Sequence, residues 1–186
     1  MTQALTPRRI RILYRMVFRI MRQYAGRDFL PLLARLSLAG IFWRSLLTKV
    51  EVAKLFSYTE LVTNEHVTDF PIERARLRLP EFPLELKSST ITLFENDFAL
   101  PLLPANVSAW LATLGEFVLP ILLVMGLFTR LSALGILAMT LVIQIFVFPE
   151  AWWATHSVWA VLAIYLAVQG PGRISADHVL GKIFSR

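Results

Sequence analysis

The sequence predicts an all-α integral membrane protein: a four-transmembrane-helix bundle with an N-terminal amphipathic interfacial helix and a small extracytoplasmic loop or cap. Three observations carry that prediction. Four apolar stretches, about 29–47, 107–128, 131–149 and 153–169, each approach the ~20 residues that a helix rising 1.5 Å per residue needs to cross a bilayer. Hydrophobic residues make up 56% of the chain and the mean hydropathy is +0.59, above the roughly 45–50% apolar content of soluble domains. Basic residues are also gathered at one end. Hydrocarbon offers no hydrogen-bond partner, so each stretch must satisfy its own amides as a helix. At 186 residues the chain has room for a single domain, 1–186.

Residues 7–24 read as a helix that lies on the membrane before the first crossing. Arg8, Arg11, Arg15, Arg19 and Arg22 recur every three or four residues on one face, with Ile10, Leu13, Val17, Ile20 and Tyr24 largely opposite. Such a face suits an anionic leaflet, at about 1 kcal/mol per basic residue near the surface. Residues 1–27 hold seven arginines and no acid, so the positive-inside rule puts them in the cytoplasm of a bacterial inner membrane. Four crossings return the C-terminus, with Arg173, Lys182 and Arg186, to the same side, and Arg130 in the turn between spans two and three agrees. A mitochondrial presequence would share this pattern. A nucleic-acid role is not indicated, because the basic face runs straight into a span.

The first span carries Arg35, Arg44 and Lys49. At about 100° per residue, Arg35 and Lys49 share a face and Arg44 opposes Arg35. The loop over 50–106, with nine acids against five basic residues, lies outside the membrane. Its patches Arg74–Leu79 and Thr90–Phe94 read as short β-strands or a hairpin. The second span holds Glu116 near mid-membrane, and Pro120 removes the amide that would bond the Glu116 carbonyl. Phe146, Phe148, Trp152, Trp153 and Trp159 read as an aromatic belt. Gly170-Pro171-Gly172 ends the fourth span, and Ser175 or Asp177 caps a short amphipathic tail.

Charges inside a bilayer cost about 2.5–3.5 kcal/mol each on insertion scales, so they face a bundle interior and mark candidate sites. Arg35, Arg44, Lys49 and Glu116 are those candidates. Arg35 is the expected partner of Glu116, with Arg44 the second choice. Two readings stand: a polar pocket for a headgroup, a quinone or a proton, or an ion pair that fixes helix packing. His156 has no second ligand at helical spacing and reads as a hydrogen-bonded histidine; His66 and His178 are isolated. With no cysteine in the chain, thiolate metal sites and dithiol relays are excluded, and with them the four-helix membrane thiol oxidases. No metal or cofactor motif is evident. A redox role would need a bound small molecule such as a quinone.

Arg35, the Trp43-Arg44-Ser45…Lys49 ending, Glu116 with Pro120, Gly126-Leu127-Phe128-Thr129-Arg130-Leu131 and Gly170-Pro171-Gly172-Arg173…Asp177 occur in that order on four spans. In this the chain resembles the DoxX family of small four-helix membrane proteins. Leu93-Phe94-Glu95, Leu100-Pro101-Leu102-Leu103-Pro104 and Phe148-Pro149…Thr155-His156 resemble a subgroup found beside periplasmic metal-binding or modified-peptide systems. Leu46 stands where the family usually has glycine. The resemblance implies one of two roles. One is a non-enzymatic accessory (chaperone, docking site or export helper) for a periplasmic peptide or stress-protection system. The other is a membrane subunit of a quinone-linked oxidoreductase of the thiosulfate:quinone type, with its polar site between helices one and two.

Overall fold

The computed structural model describes residues 11, 12, 14–16, 19, 27–64 and 67–184, with the backbone alone over 56–76. The described positions of the expected basic helix (Arg11, Ile12, Tyr14, Arg15, Met16 and Arg19) are helical; the rest of that segment, and His66, lie outside the described residues. Four helices are long and apolar enough to cross a membrane: Arg27–Lys49, Ala105–Met125, Thr129–Phe146 and Pro149–Gln169. Within them we label α1 (Leu30–Lys49), α3 (Ala105–Met125), α4 (Thr129–Phe146) and α5 (Ser157–Gln169); α2 (Ser88–Asn96) and α6 (Ala176–Phe184) are short. Strands β1 (Val52–Asn64) and β2 (Val67–Pro80) lie between α1 and α2.

The chain falls into two compact units. The first comprises the described residues of Met1–Phe42 and Phe117–Arg186. Its core is built from one face of α1 (Ala34, Leu38, Ala39, Phe42) with Leu123, Ala133, Ile136, Ala163 and Leu166. Alanines at 133 and 163 let α4 and α5 approach closely, as small residues do between membrane helices. Many large apolar side chains on the same helices remain exposed, among them Leu131, Leu134, Ile145, Val161 and Val168. In water such surface would be a liability; against lipid it is the expected outer face. Trp159 meets Phe42 edge-on at 5.7 Å and the His156 ring at 4.9 Å. Trp153 is 86% exposed.

The turns of this unit are set by glycines at positive φ. Gly126 (φ 67°) begins the α3–α4 turn, and Gly170 (φ 83°) and Gly172 (φ 79°) bracket Pro171 after α5. Phe128, at φ 47°, is the N-cap of α4 and brings no side-chain oxygen of its own. Asp177 supplies the cap from α6: its Oδ1 and Oδ2 accept the Phe128 and Thr129 amides at 2.8 and 2.9 Å. Ser175 Oγ accepts the His178 amide and caps α6 itself. Both residues expected at that cap are caps, each of a different helix.

The second unit is Trp43–Glu116. Here the short strands expected from sequence are a 13- and a 14-residue antiparallel pair, in register from Val52↔Pro80 to Val62↔Phe70 and shifted by one residue at Asn64↔Val67. Arg74–Leu79 lies in β2 as expected, whereas Thr90–Phe94 is helical and belongs to α2. The reason is local. Thr92 Oγ1 and Asn96 Nδ2 bond back to carbonyls four residues earlier, and Thr90 and Phe94, four apart, share the buried face. The root of the hairpin and the start of α2 are tied to the end of α1: Glu51 N donates to Glu85 O, Glu81 N to Glu51 O, and, from the start of α2, Lys87 N and Thr90 Oγ1 donate to Lys49 O.

Candidate functional site

Glu116, on α3, is 2% exposed, and its carboxylate is met by Lys49 Nζ at 2.9 Å from each oxygen. Ser45, one turn before Lys49 on α1, completes the group. Its hydroxyl donates to Glu116 Oε1 at 2.8 Å and accepts from Lys49 Nζ at 2.9 Å. A lysine has three N–H donors and no acceptor; here all three are directed to Glu116 and Ser45. The spacing of Ser45 and Lys49 puts both on one helical face, and a serine between an ammonium and a carboxylate uses its lone pair and its proton together. An isolated charge here would be expensive, while a pair whose donors and acceptors are matched offsets most of that cost.

The expected partner of Glu116 was Arg35, and this is corrected. Arg35 is 1% exposed within the first unit, where its Nη1 donates to Leu123 O at 3.3 Å and its Nη2 to Ile174 O. Asp177 is the acid whose charge acts on it. Leu123 lies in the last turn of α3, where carbonyls lack intrahelical partners, and Ile174 lies in the irregular segment after α5. Both carbonyls accept from the guanidinium without supplying a counter-charge. Arg35 Nε is buried with no hydrogen bond. Gly126 abuts the guanidinium: a Cβ there would collide with Arg35 Nη1 and with Ser175. Arg44, the second expected partner, is exposed. Of the four sequence candidates, Lys49 and Glu116 come together, Arg35 serves a different cluster and Arg44 joins neither.

Sequence reasoning missed Ser45, which is not among the four candidates; its i, i+4 relation to Lys49 was the available signal. It also missed Gln144, whose Oε1 accepts from His156 Nδ1 at 2.7 Å while its Nε2 donates to Pro149 O at 2.6 Å. That pairing fixes the Nδ1–H tautomer of the buried imidazole. Among the described residues no group of three or more His, Cys, Asp or Glu side chains is placed to hold a metal ion.

Four apolar crossing helices, a paired charge at Glu116 and an extramembrane hairpin rooted on the first crossing define a small multi-pass membrane protein. More specifically, the DoxX family model matches residues 30–149, from the first crossing to the end of the third, and the chain belongs to that family. A protein of Haemophilus influenzae (strain Rd), described only as uncharacterised, is 28% identical over 102 residues. That match covers 47% of this chain, and the chain spans 62% of the relative's length. No solved structure matches.

Proposed function

We propose that this DoxX-family protein is a non-enzymatic accessory of the bacterial inner membrane that docks an extended, cationic polypeptide on its periplasmic hairpin. The observation that carries the reading is the closure of the Lys49–Glu116–Ser45 group at the end of α1: every donor of the ammonium is used internally, the Lys49 carbonyl holds the start of α2 through Lys87 N and Thr90 Oγ1, and the adjoining Glu51 carbonyl accepts from Glu81 at the hairpin root. The buried pair then acts as a foundation for the hairpin. A two-stranded sheet leaves one main-chain edge on each strand, which is what strand addition requires. Around the root the exposed acids Glu51, Glu81, Glu85, Glu95 and Asp97 outnumber the basic Lys54, Arg78 and Lys87, giving the collar a net sign that attracts a basic or metal-loaded peptide.

The test is in-cell photocrosslinking from β1 and β2, in the intact chain and in one lacking residues 57–75, which keeps the root pairs Val52↔Pro80 to Leu55↔Leu77. Loss of a polypeptide crosslink in the shortened chain, and its weakening in Glu51→Gln/Glu81→Gln/Glu85→Gln, is expected. Undiminished capture, or a stoichiometric quinone that co-purifies with wild type and is lost in Glu116→Gln, would instead favour the redox-subunit reading.

A further inference from the structure

A second feature lies in the first unit, at the rim where α4 begins and α5 ends. A cavity of about 630 Å³ opens there, lined by Arg27, Arg130 and Arg173, within the roughly 300–1,000 Å³ typical of ligand sites. Its one lining carboxylate, Asp177, is engaged by the Phe128 and Thr129 amides. Arg173 is held loosely, its Nε 3.7 Å from Asp28. Among the described residues, neither Arg27 nor Arg130 has a carboxylate within ion-pair distance. At Gly172 the backbone admits a close approach of Arg27: a Cβ there would be 2.8 Å from the Arg27 carbonyl. The lip is apolar: Phe128 and Leu131 also line the cavity and are 61% and 69% exposed.

We propose that this cavity binds a phosphate group, and that the group is the headgroup phosphate of an anionic phospholipid. Two guanidinium forks with free donors match phosphate oxygens bidentately. Basic pockets at the cytoplasmic rim of transmembrane helices take such headgroups, and the arginine bias of the sequence assigns this rim to the cytoplasm. Phe128 and Leu131 lie where acyl chains leave a seated headgroup. A soluble phosphate would use the same arginines but gain nothing from that lip.

The full chain in detergent is given phosphatidylglycerol or phosphatidylcholine and scored by native mass spectrometry, then titrated with inorganic phosphate in the absence of lipid. One phosphatidylglycerol per chain is expected to be retained over phosphatidylcholine. Arg27→Gln/Arg130→Gln should reduce retention about thirty-fold, at about five-fold per arginine, and Arg78→Gln in the hairpin should not. Phosphate binding that is lost in the double variant, without lipid retention, keeps the phosphate site but overturns the lipid source. Equal retention of both lipids, or no difference between wild type and the double variant, overturns the site. Should the double variant not assemble, wild-type retention decides: it must fall between roughly 0.01 and 1 M salt, as the Debye length shrinks from about 30 to 3 Å, and retention indifferent to salt refutes the proposal.

Discussion

Replacing Lys49 by methionine keeps most of the side-chain volume and removes the charge. Glu116, 2% exposed, would then keep only the Ser45 hydroxyl as a donor, having lost contacts of 2.9 Å to both oxygens. Removing one partner of a buried pair destabilises by about 3–5 kcal/mol, because the remaining charge is left uncompensated. Replacing both partners by apolar groups of similar size is near neutral or stabilising. Lys49→Met is therefore expected to lose about 3–5 kcal/mol, and Lys49→Met/Glu116→Leu to return to within about 1 kcal/mol of wild type. Unfolding in mixed micelles of rising dodecyl sulfate fraction, followed by tryptophan fluorescence, measures both. If Lys49→Met is as stable as wild type, or if the double variant loses the sum of the two single changes, the pair is not the foundation described above.

Ser45→Ala leaves the Lys49–Glu116 contacts intact and removes only the hydroxyl between them, so the same titration should show a smaller loss, about 1.5–3 kcal/mol, the worth of one hydrogen bond to a charged group. Asp177→Ala removes the cap of α4; a loss of about 0.5–2 kcal/mol is expected, with faster hydrogen exchange at the Phe128 and Thr129 amides and no change at the hairpin root. Gly126→Ala should be the most damaging single change. It forces alanine to φ 67° and drives a methyl into Arg35 and Ser175, so folded yield in membranes should collapse. Gly40→Ala, with nothing within 4 Å of the added carbon, should match wild type in the same assay.

The four crossings were legible because span length and the lack of internal charge are properties of contiguous residues. The partners of the charges were not. Arg35 and Lys49 share a helical face, so periodicity could not decide which of them reaches Glu116. The answer depends on Leu123 and Ile174, whose carbonyls have no sequence signature. Asp177 was legible as a cap residue, but the helix it caps begins 48 residues earlier at Thr129. The alternation in Thr90–Phe94 fits a strand by its period of two, and also a helix with Thr90 and Phe94 four apart; burial of those two on one face favours the helix. The hairpin's extent was hidden because β1 and β2 mix polar and apolar residues without strict alternation, and pairing between distant segments fixes their length.

The Arg35 cluster also has a consequence for the order of biogenesis. Ile174 and Asp177 are translated after all four crossings. Until they arrive, the guanidinium of the first span lacks one of its two carbonyls, and the first turn of α4 has bare amides. The bundle is thus completed by a segment made after the four spans, acting back on the first of them. A chain interrupted after Gly170 would hold every membrane span and still carry an unfinished buried cation, the kind of defect that membrane proteases recognise. Its half-life in the cell, compared with the intact chain, would report how strongly completion of translation is coupled to survival of the fold.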